Sequence, residues 1–371
     1  MRRLVKVLSA ISALFIVVDA SAQTQSEEVE ILKKRLEVLE NEAVAAKERS
    51  FYMPQVYGSM LAYFNVSTYD GDQRFAVRNA QVGVKGNASN SVSYCVQVNF
   101  LNLNKVSVLD SYIRYSQKSF DFTLGQQWIH LTGDFDRCGP KSALFTTRSF
   151  GVVYITNYTN GSTLKSLGNR DIGLYGNYTF STKVPITISA GAFNGSGVNT
   201  SDWDNDINLT GKIQIGSKKG LSGGGSVYYG TTTYNQDITI WSGEIRYSTK
   251  RLFVEANYQQ KNIEEQTTKT GLIEGYYTFP TPNSRFLDSY APMVRYDFGD
   301  GMLYSNLVSG VVEEQDAGRV TALMSFIFKG SKVRSRLCVG YEKFFMGDKP
   351  SDIASNPLFQ DRFTIAMSVA F

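Results

Sequence analysis

Apolar and polar residues alternate one by one over the last ten residues of the chain, from Arg362 to Phe371. The apolar residues are Phe363, Ile365, Met367, Val369 and Phe371, and those between them are small or polar. Because successive side chains of a strand point to opposite faces, this pattern predicts a strand with one apolar face. About ten residues suffice for a tilted strand to cross a bilayer. The expected strand therefore faces lipid; the alternative is the edge strand of a soluble β-sandwich.

The same alternation recurs in sixteen segments between Gln55 and Phe371. The connections that follow even-numbered segments are mostly short, and those that follow odd-numbered segments are mostly long. Asn102–Ser107 and Pro280–Ser289 depart from this rule. Membrane barrels have short periplasmic turns and longer external loops. We therefore predict an all-β protein, a transmembrane antiparallel β-barrel of sixteen strands with both chain ends on the periplasmic side.

Arg78 is an exception in the second segment, because it falls in phase with the apolar Val82 and Val84. Either a β-bulge at this point or a position of Arg78 above the lipid belt would reconcile it with the pattern.

Two segments of different composition precede the barrel. Residues 1–22 have basic residues, then an apolar stretch, then Ala20-Ser21-Ala22, which is typical of a secretory signal peptide. Residues 23–50 are predicted to form a periplasmic helical segment, and residues 51–371 the barrel. The helical segment has a heptad seam that favours a coiled coil over a lone amphipathic helix on the barrel or membrane surface. The seam consists of Val29, Leu32, Leu36, Leu39, Ala43 and Ala46.

Composition narrows the function classes. The formal net charge is only +4 and no basic run occurs, so nucleic acid is not an expected partner. The single histidine, His130, and the separated Cys95, Cys138 and Cys338 give no metal-ligand spacing. Cys95 and Cys338 are expected to point into the lumen. Neither a catalytic motif nor a cofactor motif is present, so we expect no catalytic, cofactor-binding or metal-binding residues.

The longest connection, residues 131–170, is the candidate for a constriction. A sixteen-strand barrel has a wide lumen, and a long loop folded inward would narrow it; the alternative is an external flap. The candidate pore residues of this loop are the cations Arg137, Lys141, Arg148 and Arg170.

Charged residues also alternate onto the predicted lumen face. The basic ones are Lys85, Arg114, Lys212, Arg246, Arg295, Arg334 and Arg336, with Arg362 near one end. The acidic ones are Asp110, Asp121, Glu244, Glu255, Asp297 and Glu342. Rings of basic residues favour anions in a pore, so the mixture predicts a weak anion preference at best. The alternative is a set of paired charges that stiffen the wall.

The chain resembles the phosphate-selective porin O and P family of Gram-negative outer membranes. The resemblance rests on residues 78–86 (RNAQVGVKG), 124–127 (LGQQ) and 294–297 (VRYD), and on the final Phe371. It implies a trimeric sixteen-strand porin with an inward third loop. The arginine ladder and lysine cluster of its phosphate-selective members are not placed on residues of this chain by these motifs.

The resemblance also implies location and partners. The final Phe371 resembles the terminal residue that the barrel-assembly machinery reads, and the heptad segment resembles the periplasmic coiled coils of some porins. The expected function is passive diffusion of small hydrophilic solutes, with a possible phosphate-like anion preference, through a homotrimer in outer-membrane lipid. The alternatives are a plugged barrel acting as an adhesin and an outer-membrane enzyme.

Overall fold

The structure, a computed structural model, describes residues 34–38, 40, 50–101, 106–137, 145–200, 206–217, 219–306, 309–330, 333–347 and 359–371. The chain divides into two compact units, residues 1–53 and 54–371. In the first unit, residues 34–38 and 50–52 are helical and Leu36 is exposed. The predicted signal peptide and the other seam residues, Val29, Leu32, Leu39, Ala43 and Ala46, lie outside the described residues. No helix in the described ranges is long and apolar enough to span a membrane.

The second unit is a closed antiparallel barrel of sixteen strands, which confirms the predicted fold class. The strands are β1 (Gln55–Ser67), β2 (Gln73–Asn87), β3 (Val92–Asn99), β4 (Ser107–Gln117), β5 (Phe120–Trp128), β8 (Arg170–Phe180), β9 (Ile186–Phe193), β10 (Asn208–Gly216), β11 (Gly220–Thr231), β12 (Asp237–Ser248), β13 (Leu252–Ile263), β14 (Gln266–Tyr277), β16 (Leu287–Ser305), β17 (Val312–Phe328), β18 (Arg334–Phe345) and β19 (Arg362–Ala370). Each strand pairs with its neighbours along the chain, and β19 pairs with β1 to close the barrel.

Five short elements lie outside this set. The loop between β5 and β8 contains the helices α1 (Gly133–Arg137) and α2 (Phe150–Tyr154) and the strands β6 (Asn157–Thr159) and β7 (Leu164–Ser166). Strands β6 and β7 pair only with each other among the described residues. The two-residue strand β15 (Phe279–Pro280) extends the pairing of β16.

Period-two alternation assigns each strand an outer and an inner face. In β3, Val96 is 46% exposed on the outer face, whereas the neighbouring Cys95 is buried on the inner face. Cys338 of β18 is buried as well, and both cysteines are free thiols. Over the middle of the strands, many exposed outer residues are apolar, as expected of a wall that meets lipid.

The irregular second segment contains a β-bulge. Leu61 pairs with Asn79 and Ala62 with Val77, so Arg78 is the extra residue. The bulge lets the Arg78 guanidinium reach the lumen, where it donates to the carbonyl of Thr146. Of the two explanations of the Arg78 anomaly, the bulge is the one observed.

Two connections interpreted as loops from the sequence are mostly paired strand. Residues 261–271 and 299–318 continue the β13–β14 and β16–β17 hairpins, with turns at residues 264–265 and 306–311. Their outer residues are polar, such as Lys269 and Asp316, so the apolar alternation ends before the strands do. We call the end of the barrel at which these two hairpins turn the loop end. The opposite end, where seven connections join consecutive strands, is the turn end.

Candidate functional site: the barrel lumen and its inward loop

The connection between β5 and β8, residues 129–169, lies against the inner wall, and we call it the inward loop. Six of its apolar side chains pack on the inner faces of β11 to β13: Leu131, Phe135, Val152, Ile155, Tyr158 and Leu167. Their wall partners are Tyr228, Ile238, Ile240 and Ile263. Full burial of one such side chain contributes about 2 kcal/mol. Apolar packing therefore holds the described part of the loop against the inner wall of the barrel.

Helix α1 is fixed to the wall by acidic side chains of three strands. The backbone N–H of Gly133 donates to Glu244 of β12. The Arg137 guanidinium lies 2.6 Å from Glu255 Oε1 of β13 and 3.4 Å from Glu274 Oε1 of β14. These two carboxylates raise the pKa of Arg137 against the opposing effect of burial. The charge of Arg137 is thus compensated where it meets the wall.

Asp134 links the two helices of the inward loop. Its carboxylate accepts from Ser149 Oγ at 2.6 Å and from Asn257 Nδ2 of β13 at 2.9 Å. Ser149 is also the N-cap of α2, because its side chain accepts from the backbone N–H of Val152. One buried carboxylate therefore connects α1, the cap of α2 and the barrel wall.

His130 and Asp136 form a second contact at the start of the loop. His130 Nδ1 lies 2.6 Å from Asp136 Oδ1, and Lys212 Nζ of β10 lies 3.8 Å from Asp136 Oδ2 and 3.3 Å from Glu244. Although burial by itself would raise it, the pKa of Asp136 is lowered by His130, Lys212 and Arg137. His130 thus has a structural partner.

A buried charge cluster on β16 to β18 holds the middle of the loop. Asp297 accepts from the backbone N–H of Phe150 at 3.0 Å and from Arg319 at 2.6 Å. Arg319 also donates to the carbonyl of Arg148 at 2.6 Å, and its guanidinium lies 4.6 Å from the centre of the Phe150 ring. Glu342 pairs with Arg362 at 2.7 Å. The cluster thus satisfies the backbone N–H of Phe150 and the backbone carbonyl of Arg148.

The part of the inner wall that the inward loop covers is buried, whereas the part formed by β1 to β4 is partly exposed to the lumen. Wall residues of β13 to β18 such as Glu255, Asp297 and Glu342 are at most 1% exposed. On β1 to β4, Lys85 is exposed and Tyr57, Gln97, Tyr112 and Arg114 are half-buried. Polar side chains on one wall thus keep contact with solvent inside the barrel.

Two cations on this open wall lie beside aromatic rings. Lys85 Nζ is 5.6 Å from the centre of the Tyr57 ring, and the Arg114 guanidinium is 5.3 Å from that of Tyr112. Arg114 Nε donates to Thr123 Oγ1 at 2.9 Å. Among the described residues, no carboxylate forms an ion pair with either cation. Their charges are uncompensated, which favours anions nearby.

The candidate constriction residues do not form one group. Arg137 pairs with Glu255 and Glu274, and Arg170 pairs with Asp110 at 2.8 Å beneath the ring of Trp128. Arg148 is half-buried in the inward loop, and its buried Nε has no hydrogen-bond partner in the part of the chain that the structure describes. Lys141 lies outside the described residues. The role of these four in a constriction stays a prediction.

The candidate wall charges divide into paired and unpaired sets. Lys212 pairs with Glu244, Arg295 Nε lies 3.7 Å from Asp297, and Asp121 accepts from Asn177 at 3.0 Å. Arg336 Nε donates to Ser368 at 2.9 Å. Arg246 and Arg334 take part in no ion pair within the described ranges. Paired charges that would stiffen the wall therefore account for some of these residues. Lys85, Arg114, Arg246 and Arg334 form no ion pair among the described residues.

Sequence reasoning missed several residues that anchor the loop. Glu274, Asn257 and Arg319 all contact it, and Arg78 reaches it from the far side of the barrel seam. Alternation along β13, β14 and β17 could have identified Asn257, Glu274 and Arg319 as inward-facing, because each is in phase with other inward residues.

Comparisons with known proteins agree with this architecture. No protein-family model matches the sequence, and no curated protein matches it. OmpF of Salmonella typhi, solved in complex with daunomycin, is 13% identical, with 86% of this chain and 98% of that chain covered and a TM-score of 0.59. The anion-selective porin from Comamonas acidovorans is 10% identical, with 86% and 99% covered and a TM-score of 0.56. OmpT, an outer membrane protein of Vibrio cholerae, in its trimer form is 13% identical, with 86% and 99% covered and a TM-score of 0.53.

These likenesses show the fold: the chain has the barrel of outer-membrane porins. The more specific resemblance to the phosphate-selective O and P family stays a prediction.

Proposed function

We propose that the protein is an outer-membrane porin, a channel for passive diffusion of small hydrophilic solutes. The observation that carries the proposal is the asymmetry of the lumen. The inward loop covers the wall from β11 to β18, whereas the wall from β1 to β4 keeps polar, solvent-accessible side chains. A barrel narrowed on one side and polar on the other is suited to water-filled diffusion.

The proposal extends to a weak preference for anions, including phosphate-like ones. The cations and acids under the loop largely neutralise each other, as in the Asp297–Arg319 and Arg137–Glu255 pairs. The solvent-accessible wall retains Lys85 and Arg114 without acidic partners among the described residues. A low-dielectric wall focuses the field of such charges into the pore. The selectivity is therefore assigned to this wall.

Location and assembly follow as part of the same proposal. The signal peptide directs export, Phe371 is read by the barrel-assembly machinery, and the barrel resides in outer-membrane lipid as a homotrimer. The similarity to OmpT in its trimer form supports the trimer.

Bilayer recording tests the proposal. Purified full-length protein inserted into a planar bilayer should give stepwise, ohmic conductance, and a salt gradient should give a small reversal potential of the sign for anions. A refolded, heat-modifiable barrel that inserts without conductance would contradict the channel and favour the plugged-barrel alternative.

A further inference from the structure

The two ends of the barrel carry opposite charges. The seven connections at the turn end contain nine Lys and Arg residues and no Asp or Glu. Apart from the inward loop, the seven connections at the loop end contain ten Asp and Glu residues and two Lys and Arg residues. Scattered surface charges would mix signs in the connections at both ends, so the connections of the turn end form a predominantly basic surface, with the exposed carboxylate of Asp288 at the start of β16 beside it.

Four of these cations lie on four successive turns. Lys118, Lys183, Lys219 and Lys250 belong to the turns β4–β5, β8–β9, β10–β11 and β12–β13, and we call them the basic collar. All four side chains are exposed. Within the described ranges, none of the four ammonium groups has a hydrogen-bond or ion-pair partner. No contact among the described residues neutralises these charges, so they are available to an external anion.

A band of exposed aromatic side chains lies just inside the collar. It includes Phe120, Phe122, Tyr178, Phe180, Tyr277 and Phe279, each at least 36% exposed. Phe120 pairs with Tyr178 across β5 and β8, next to Lys118. Aromatic rings at the ends of spanning strands lie at the level of the lipid headgroups. The collar therefore lies at or just beyond that level.

The lengths of the turns limit how far the cations extend. A residue spans at most about 3.5 Å of chain, and these four turns contain two to five residues that fold back on themselves. The headgroup layer on each side of the hydrocarbon core is about 5–8 Å thick. The ammonium groups are thus held in the headgroup layer and do not extend far into the aqueous space beyond it.

We propose that the basic collar binds the phosphate groups of anionic phospholipids in the leaflet that surrounds the turn end. This inference rests on the proposed outer-membrane location, in which that leaflet faces the periplasm. The collar fixes the depth of the barrel and enriches its lipid shell in anionic lipid.

Native mass spectrometry of the full chain tests the proposal. The protein is released from vesicles of equal parts phosphatidylethanolamine and phosphatidylglycerol, and the retained lipids are counted. The collar variant carries K118Q, K183Q, K219Q and K250Q. The matched control carries R74Q, K165Q, K269Q and K343Q, which remove the same charge from the loop end. We expect the collar variant to retain phosphatidylglycerol about fivefold less at each site, and the control to retain it as the wild type does.

Two further measurements separate a lipid from other anions. High salt should weaken the wild-type preference, because the Debye length falls to about 3 Å at 1 M. Millimolar inorganic phosphate should not displace the lipid, because a free anion lacks the contact of the acyl chains with the aromatic band. Equal lipid retention by the collar variant and the wild type would overturn the proposal. So would loss of peptidoglycan co-sedimentation in the collar variant with unchanged lipid retention, since the collar would then serve an aqueous polymer.

The result is separable from the proposed channel function. Lipid retention is measured without current, and the four collar residues lie outside the inward loop and the open wall. A conducting barrel without lipid preference would overturn this inference alone. A barrel with collar-dependent lipid preference but no conductance would overturn the channel alone.

Discussion

At the scale of single residues, the contribution of a guanidinium or ammonium group to the field in the pore depends on the groups beside it. Arg137 and Arg114 are both half-buried in the lumen, but Arg137 lies between Glu255 and Glu274 whereas Arg114 bonds a neutral hydroxyl. Only an uncompensated charge contributes a net field to the pore. Residue type and inward orientation alone therefore do not identify the residues that determine ion selectivity.

The open-wall cations give the first prediction. Replacing Lys85 and Arg114 together with Glu should move the reversal potential in a salt gradient toward cations, because two positive charges become negative beside the solvent path. The matched control is K118E with K183E, which makes the same change of charge at two exposed turn residues outside the inward loop and the open wall. An unchanged reversal potential in the double variant would place the selectivity elsewhere, for instance at Arg148 or Lys141.

Arg137 gives the second prediction. The variant R137Q leaves the Glu255 carboxylate, whose side chain is fully buried, without its cation. We expect this to destabilise the anchored loop by about 3 kcal/mol, the usual cost of breaking a buried pair from one side. The loop should then give frequent current interruptions in single-channel recordings and be cleaved more readily by protease.

A second substitution checks the cause of that effect. Adding E255Q to R137Q removes the uncompensated charge, so the current interruptions should become less frequent again. If R137Q alone gives quiet currents, the apolar packing of Phe135 and Ile155 holds the loop without the ion pairs.

At the scale of elements, strands were predictable and loop paths were not. Alternation with period two depends on local sequence and a lipid-facing outer wall, so it located all sixteen strands. It failed where β13–β14 and β16–β17 extend past the membrane, because the outer face there is polar. The contacts of the inward loop depend on which loop carbonyl meets which wall arginine, as Arg148 does with Arg319. Such contacts join residues far apart in sequence and leave no periodic signal.

The closing strand gives the third prediction. Phe371 exchanges two backbone hydrogen bonds with Gly58 of β1, at 3.0 and 3.1 Å. A Cβ at Gly58 would lie 2.6 Å from the Phe371 ring, so this glycine makes room for it. Deleting Phe371 should impair assembly and leave a protease-sensitive form that does not change mobility on heating. The variant G58V should show a milder form of the same defect, because its side chain displaces the ring and lies too close to the Gln81 carbonyl oxygen, 2.8 Å from the Cβ position, while the strand remains.

The control for this pair is G243V, since a Cβ at Gly243 meets no atom within 4 Å. Normal heat-modifiable barrel from the chain that lacks Phe371 would show that the last residue has no part in closure or recognition.

At the scale of the whole molecule, the fold and the charge distribution have separate origins. Strand number and closure come from alternation, and solved structures of only 10–13% identity share the fold. The difference in charge between the ends is carried by turns and loops, where sequence is little constrained by the barrel. Fold similarity therefore does not extend to the collar, and the collar has to be tested in this chain.

The last prediction concerns the helical segment ahead of the barrel. Leu32, Leu36 and Leu39 occupy seam positions of the predicted heptads, and Leu36 is exposed in a described helical stretch. An isolated helix of this length is marginal in water, so we expect the segments of three chains to associate through this seam. Replacing all three leucines with Asp should abolish cross-links between the segments, because like charges would face each other at the seam.

The matched control changes Lys33, Lys34 and Arg35 to Gln, outside the seam and without adding negative charge. Because the barrel forms its own wall, the leucine variant should still conduct in bilayers. If wild-type segments show no cross-links while the barrel runs as a trimer, the barrel wall alone carries the assembly.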